Sequence, residues 1–150
     1  MMETTIKPAM TVLSHTVKTN MKEIETHLNI PEELYREAVE CGMRITGCNY
    51  WIYSDYSDDM QSDFTLEMVL PVWSKGKKSK KFELKKLAPF KCITHLHEGS
   101  WSEFKEVYPQ LIQQILSNGL KIGKSNREMY INCDFEEQDN CITEIQFEIL

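Results

Sequence analysis

The sequence contains one short pattern twice, at a constant spacing of 77 residues. The segment Gly-Met-Arg-Ile at 42–45 corresponds to Gly-Leu-Lys-Ile at 119–122. Four further pairs match at this spacing: Asn49 and Asn126, Ile52 and Met129, Tyr53 and Tyr130, and Glu67 and Glu144. Upstream, the segments 12–15 and 92–95 are similar at a spacing of 80. We therefore predict two copies of one supersecondary unit within a single domain.

Two copies of one unit meet at a pseudo-symmetric seam, and such seams are natural places for a ligand pocket. Residues that differ between equivalent positions of the two copies are then the candidates for function. Trp51 and Glu128 form such a pair, because they occupy equivalent positions but differ in size and charge.

The composition excludes several classes of protein. A net charge of −6 and a pI near 5.3 argue against a general nucleic-acid binder, which normally carries a basic surface. No segment approaches the roughly 18 apolar residues of a membrane span, and the N-terminus lacks a signal-peptide core. Five cysteines without a C-x-x-C pair favour reduced thiols and a cytoplasmic location. We expect no cofactor and no metal, because Cys92 falls on the opposite strand face from His95 and His97.

The first half of the chain, about residues 8–74, has the pattern β-α-β-β. Its predicted strands are 11–18, 49–54 and 63–72, with an acidic loop at 55–62. Asn20 and Glu23 resemble a capping box that opens a helix, and Gly42 is placed to end it. Pro31 is expected to break or kink this helix.

The second half, about residues 82–150, repeats the order after a polar connector at 75–81. Its predicted strands are 82–97, bent at Pro89, and the hairpin strands 127–133 and 142–150. Ser100 and Glu103 form a second capping box, and the helix that follows is expected to be interrupted at Pro109 and to end at Gly119.

We therefore predict an α+β fold in which tandem duplicated β-α-β-β units form an antiparallel sheet, with helices on one face and a ligand cleft on the other. Strand alternation separates the two faces. The predicted helix-side residues are Phe64, Leu66, Met68, Leu70, Met129, Ile131, Ile145, Phe147 and Ile149. The residues predicted for the cleft face are Trp51, Tyr53, Glu67, Glu128, Tyr130 and Glu144.

Three segments resemble the signature of the GyrI-like small-molecule (effector) binding domains. They are His-Glu-Gly-Ser-Trp-x-x-Phe at 97–104, Asn-Gly-Leu at 118–120 and Asn-Arg-Glu-Met-Tyr at 126–130. The resemblance covers essentially the whole chain, because that family is itself a tandem β-α-β-β duplication. Such domains occur at the C-terminus of AraC-type and MerR-type multidrug regulators and as free-standing proteins. With no room for a helix-turn-helix domain, this chain is expected to be a free-standing member.

The resemblance implies binding of bulky, often cationic aromatic compounds in a cleft between the halves. The acidic residue of the Glu-x-Tyr strand is the expected charge partner, which is Glu128 here. An organic cation would offset the desolvation of this carboxylate and gain from the ring faces of Trp51, Tyr53 and Tyr130. The alternative is that Glu128 is a surface residue or pairs with Arg127 or Arg44.

Four further residues are weaker candidates for ligand binding. Glu67 and Glu144 could be acidic groups near the cleft or plain exposed strand positions. Trp101 and Phe104 begin a helix, where aromatic side chains more often belong to the core.

Two other functions are weighed against small-molecule binding. In a hydrolase, Glu128 would activate water, with Tyr53 or Trp51 positioning the substrate. In a protein-binding inhibitor, the acidic surface at Asp55, Asp58 and Asp59 would matter more than the pocket. A homodimer formed through an open strand edge is a further expectation.

Overall fold

The computed structural model describes residues 2–56 and 61–150, and within them the chain forms two α-helices and nine strands. The strands are β1 (Thr5–Lys7), β2 (Met10–Thr19), β3 (Arg44–Ile45), β4 (Tyr50–Ser54), β5 (Phe64–Trp73), β6 (Glu83–Leu87), β7 (Phe90–Glu98), β8 (Ile122–Asn132) and β9 (Ile142–Ile149). The helices are α1 (Ile30–Glu40) and α2 (Phe104–Ser117), with 3₁₀ turns at Ile24–His27, Trp101–Glu103 and Gln138–Asn140. The predicted α+β class is confirmed.

The antiparallel sheet has the same order of strands on both sides of its centre. The order is β1-β7-β9-β8-β4-β5-β2-β6, with β3 added beside β5. At the centre β8 pairs with β4, and the outward sequence β9, β7 on one side mirrors β5, β2 on the other. The register repeats as well, since Trp51 lies opposite Met68 and Glu128 lies opposite Ile145. A duplication would give this arrangement, and the duplication itself stays a prediction.

The two edge strands are exchanged between the halves. β1 pairs with β7 of the second half, and β6 pairs with β2 of the first half. Only residues 8–9 separate β1 from β2, and only residues 88–89 separate β6 from β7. The flanking strand ends are three peptide units apart and therefore lie within about 11 Å of each other, so the sheet must curve until its two ends approach each other. The prediction of a single strand over 82–97 is therefore wrong, because the chain leaves one end of the sheet at Leu87 and enters the other at Phe90.

The predicted helix of the first half begins later than expected. Asn20 accepts a hydrogen bond from the Glu23 backbone N–H at 3.1 Å, but this bond closes a turn before the 3₁₀ turn Ile24–His27 and caps no α-helix. α1 starts at Ile30, so Pro31 lies in its first turn, where the missing N–H has no intrahelical partner to lose. Pro31 thus begins the helix instead of breaking it. Gly42 ends it, as predicted, with a positive φ of 70°.

The second helix begins as the sequence predicts but is not interrupted. Ser100 accepts a hydrogen bond from the Ser102 backbone N–H at 3.2 Å, and Glu103 accepts one from the Ser100 N–H at 3.1 Å. This capping box is confirmed. α2 then runs through Pro109 without a break, so the predicted interruption is wrong.

Both helices pack on the same face of the sheet. Leu34 and Ala38 of α1 belong to one core cluster, and Leu111 and Ile115 of α2 belong to another. The sheet residues of these two clusters include Trp51, Phe64, Leu66, Met68, Ile93, Ile145, Phe147 and Ile149. A third cluster fills the inside of the curved sheet, away from the helices, with Val12, Tyr50, Ile52, Val69 and Leu87.

Several predicted face assignments are wrong. Cross-strand partners point to the same face of a sheet, and Glu128 lies opposite both Trp51 and Ile145. The residues that consequently face the helices are Trp51, Tyr53, Glu128 and Tyr130, and those that face away are Glu67, Met129 and Glu144. Alternation decides which residues of one strand share a face, but it does not fix the register between strands. The predicted cleft face is therefore on the helix side of the sheet.

Two predicted segments connect these elements. The connector at 75–81 lies between β5 and β6, and the division of the chain into two repeats stays a prediction. Part of the predicted acidic loop, including Asp58 and Asp59, lies outside the described residues. Neither α-helix of the described chain combines the length and apolar character that a membrane crossing requires.

Candidate functional site

The two positions that break the internal symmetry are direct neighbours at the seam. Trp51 of β4 lies opposite Glu128 of β8, and Tyr53 lies opposite Asn126. Positions 51 and 128 are equivalent in the two halves, so the pseudo-twofold axis passes between this pair of residues. The pair singled out from the sequence therefore meets across β4 and β8, while the duplication stays a prediction.

Glu128 is a buried carboxylate held by three phenols. The residue is only 7% exposed. The hydroxyl of Tyr130 donates to Oε1 at 2.5 Å, and that of Tyr53 donates to the same oxygen at 3.3 Å. The hydroxyl of Tyr108, from α2, donates a short hydrogen bond to Oε2. One strand from each half and one helix therefore converge on a single side chain.

The ionisation of this cluster reflects two opposing effects. Burial raises the pKa of Glu128 above its ordinary value of 4.5, while the phenol hydrogen bonds act against the rise. The pKa values of Tyr53, Tyr108 and Tyr130 are raised well above 10, first by burial and then by the negative charge of Glu128. The phenols therefore remain protonated donors, and the carboxylate is the group of the cluster that titrates.

No basic side chain in the described part of the chain balances this carboxylate. Among residues 2–56 and 61–150, no Lys, Arg or His side chain forms an ion pair with Glu128. The neighbouring Arg127 points to the other face, where its guanidinium lies 3.9 Å from the centre of the Phe90 ring. The predicted alternative, a Glu128–Arg127 pair, is therefore wrong. A buried negative charge without a counter-charge is costly unless a ligand supplies one.

Aromatic rings surround the carboxylate. The Trp51 ring meets that of Tyr130 edge to face, with centroids 6.0 Å apart, and lies 6.5 Å from that of Tyr53. The buried Trp51 Nε1–H has no acceptor in the described part of the chain, so it is a free donor beside Glu128. These four residues are brought together as the sequence predicts, although on the opposite face.

Trp101 and Phe104 extend the aromatic cluster on the side of the second half. Trp101 lies edge to face with Tyr130 at 6.2 Å between ring centroids, and its Nε1–H donates to Thr143 Oγ1 at 3.2 Å. Phe104 packs against Tyr108 at 5.5 Å. Both rings therefore touch the tyrosines of the cluster and not Glu128 itself.

Glu67 and Glu144 do not join the cluster. Each faces away from the helices and is paired with a lysine: Glu67 with Lys85 at 2.6 Å, and Glu144 with Lys7 at 2.8 Å. Their charges are thus balanced on the other side of the sheet. Of the eight predicted ligand-binding residues, these two lie apart.

Tyr108 is the participant that the sequence reasoning missed. It lies four residues after Phe104 and three before Leu111, so it continues the inward stripe of α2. That periodicity indicated a buried ring. It did not indicate that the hydroxyl reaches a carboxylate on a distant strand.

Comparison with known proteins gives the class of protein. Residues 2–150 match the family described as "GyrI-like small molecule binding domain". The chain therefore belongs to the GyrI-like family, and it is a small-molecule binding domain. The resemblance noted in the sequence is confirmed. A search of curated proteins found no significant match.

Several solved structures share the fold at low sequence identity. The EcmrR C-terminal domain is 19% identical with a TM-score of 0.75, over 99% of this chain and 98% of that one. EcmrR in its DNA complex is 20% identical with a TM-score of 0.78, over 99% of this chain but 57% of EcmrR. SAV2435 bound to tetraphenylphosphonium is 12% identical with a TM-score of 0.67, over 100% and 94%. A hydrolase encoded by lin2189 of Listeria innocua is 11% identical with a TM-score of 0.63, over 99% and 91%.

Proposed function

We propose that this chain binds hydrophobic organic cations with aromatic groups, and that Glu128 is the charge partner of the ligand. One observation carries the proposal: the carboxylate is buried among tyrosine and tryptophan rings, and no cationic side chain of residues 2–56 and 61–150 pairs with it. The phenols fix its position, and its charge is left for a ligand to balance.

The chemistry of the surroundings favours a delocalised or quaternary cation over a small hydrated one. The rings of Trp51, Tyr53 and Tyr130 offer faces and edges but few polar atoms, and cation–π contacts contribute roughly 0.5–2 kcal/mol each. Two or three such contacts together with apolar burial are enough for roughly micromolar affinity. Rings and one charge demand little directional precision, so ligands of several shapes fit the same site.

The hydrogen bonds of Glu128 favour binding over hydrolysis. A general base needs a lone pair directed at the attacking water. Oε1 already accepts from Tyr53 and Tyr130, and Oε2 accepts from Tyr108. A carboxylate oxygen has two lone pairs, so one position remains for a water molecule, and the three phenol hydrogen bonds lower the basicity of the carboxylate. A cation, in contrast, needs the charge and no free lone pair.

The fold of SAV2435, which was solved with tetraphenylphosphonium bound, supports the choice of probe. We would titrate tetraphenylphosphonium calorimetrically into the wild type and into Glu128→Gln. The expected result is saturable binding to the wild type and at least tenfold weaker binding to the variant, which corresponds to about 1.4 kcal/mol. Glu67→Gln is the matched control, because it removes a carboxylate from the other face of the same sheet.

Three results would contradict the proposal. Equal affinity in the wild type and Glu128→Gln would remove the carboxylate from the site. An equal loss in Glu67→Gln would indicate a general effect of net charge. Absence of binding, together with Glu128-dependent turnover of an ester substrate, would support the hydrolase instead.

A further inference from the structure

A cavity lies at the carboxyl end of α1, and its lining residues are different from those of the Glu128 cluster. It has a volume of about 290 Å³. Its lining residues are Cys41, Gly42, Arg44, Trp73, Lys75 and Lys77. We call it the basic pocket, because three of these six side chains are cationic and none is acidic.

The wall of the basic pocket is a cross-strand pair. Arg44 of β3 lies directly opposite Trp73 of β5, and the guanidinium carbon is 5.6 Å from the centre of the indole ring. Trp73 is 48% exposed, whereas Trp51 is 6% exposed. An exposed tryptophan against an arginine offers a stacking surface beside a positive charge.

The opposite side is formed by the turn after β5. Ser74 Oγ donates to the Lys77 carbonyl at 3.2 Å and accepts from the Gly76 N–H at 3.3 Å, which holds the turn. A Cβ atom placed on Gly42 would lie 4.0 Å from Lys77 Nζ, so the ammonium projects over this glycine. The turn thus directs Lys77 into the cavity, where Cys41 contributes a thiol that donates to Glu37 at 3.3 Å.

The cations of the basic pocket have no carboxylate partner in the described part of the chain. Arg44, Lys75 and Lys77 form no ion pair in residues 2–56 and 61–150, although other lysines and arginines of the same chain do. The whole chain carries a net charge of −6, so three unpaired cations around one cavity are a local exception. The charged, hydrogen-bond-accepting oxygens of an anion would pair with these three cations.

We propose that the basic pocket binds a small aromatic anion, with the ring against Trp73 and its carboxylate, sulfonate or phosphate held by Arg44, Lys75 and Lys77. The volume suits a ligand of one or two rings, at the small end of the range for ligand pockets. This ligand is opposite in charge to the one proposed for the Glu128 cluster. The two sites therefore select different compounds.

The second half of the chain supplies a matched control. Lys121 is equivalent to Arg44, and it lies beside Leu150, which is equivalent to Trp73. The same backbone arrangement therefore recurs with one cation and no ring. Lys121→Gln removes a positive charge of the same kind outside the basic pocket.

The test is a titration of naphthalene-2-sulfonate followed by the indole N–H resonances of the three tryptophans and by calorimetry. We expect saturable binding that shifts the Trp73 resonance and leaves Trp51 unchanged. Arg44→Gln and Lys77→Gln should each weaken binding at least fivefold, whereas Lys121→Gln and Glu128→Gln should leave it unchanged. Neutral 2-naphthalenemethanol and sulfate alone should each bind at least tenfold more weakly.

The proposal is overturned by any of four results, each obtained with variants whose thermal unfolding shows that they are folded. These are no saturable binding, equal binding of the neutral naphthalene compound, equal binding of sulfate alone, and the same loss in Lys121→Gln as in Lys77→Gln. Because the probe is an anion and Glu128→Gln is a control, failure here is distinguishable from failure at the cation site.

Discussion

At the scale of single residues, we expect the protonation of Glu128 to couple the proposed ligand binding and the stability of the fold to pH. Burial raises the pKa of this carboxyl in the folded protein above 4.5. A proton on Glu128 removes the charge that a cation would meet. The affinity for an organic cation is therefore expected to rise with pH through the folded-state pKa of Glu128, because the ligand binds the ionised form.

The same shift in pKa makes a prediction about stability. The folded protein holds the Glu128 proton more tightly than the unfolded chain does, so this group stabilises the fold fully below 4.5 and progressively less as pH rises through its folded-state pKa. Glu128→Gln removes this dependence. The free energy of unfolding of the variant relative to the wild type should therefore increase from pH 4.5 upward, measured by urea denaturation. Parallel pH profiles for the two proteins would contradict this assignment.

Tyr108 gives a second prediction at this scale. Its hydroxyl is a donor to a charged acceptor, and such hydrogen bonds contribute about 1.5–3 kcal/mol. Tyr108→Phe should lower the free energy of unfolding by about this amount at pH values above the folded-state pKa of Glu128, where the acceptor is charged, and by less below it. Tyr35→Phe is the control, because Tyr35 is 52% exposed. An equal effect of both changes would show that Tyr108 acts only through packing.

The residues at the seam differ in how far the sequence could reveal them. Glu128 was identified as a candidate because it differs from Trp51 at the equivalent position and lies in the Asn-Arg-Glu-Met-Tyr segment at 126–130. Tyr108 was not, since its contact depends on how α2 lies across the sheet. The face assignments failed for a similar reason, because the pairing of Glu128 with Ile145 is a property of two strands together.

At the scale of elements, the start of α2 is stabilised by side chains that the sequence identifies. Ser100 caps the turn Trp101–Glu103 and also donates to Gln138 Oε1 at 2.8 Å. Ser100→Ala should lower the free energy of unfolding by about 1–2 kcal/mol, as expected for loss of an N-cap. Thermal unfolding measures this change.

Asn20→Ala, in the turn before α1, is the comparison for Ser100→Ala. The Asn20 side chain accepts a single hydrogen bond from the Glu23 N–H, in the turn that precedes the 3₁₀ turn Ile24–His27. We expect a smaller loss of stability than for Ser100→Ala. A larger loss would show that the turn before α1 contributes more to the fold than its contacts indicate.

The two prolines show why element boundaries were harder to predict than element types. A proline within an apolar helical pattern signals either the start of a helix or a kink. Pro31 starts α1, and Pro109 is accommodated inside α2. The choice depends on the packing of each helix on the sheet, which no local pattern contains.

At the scale of the whole molecule, the exchanged edge strands tie the two halves together. Neither half contains all the partners of its own strands, because β1 pairs with β7 and β6 pairs with β2. We predict that the slowest-exchanging amides of β2 and β5 and those of β7 and β9 report the same free energy of opening in native-state hydrogen exchange. A clearly lower value for one set would show that one half unfolds alone.

The position of the pseudo-twofold axis at Trp51 and Glu128 has a consequence for how such a site can arise. In an assembly of two identical halves, both positions beside the axis hold the same residue, so a carboxylate there would face its own copy. Two adjacent negative charges would repel each other and share one proton. A single charge at the centre is available only when both halves belong to one chain and are free to differ. Covalent linkage thus permits the lone anion on which the proposed recognition of a monovalent cation depends.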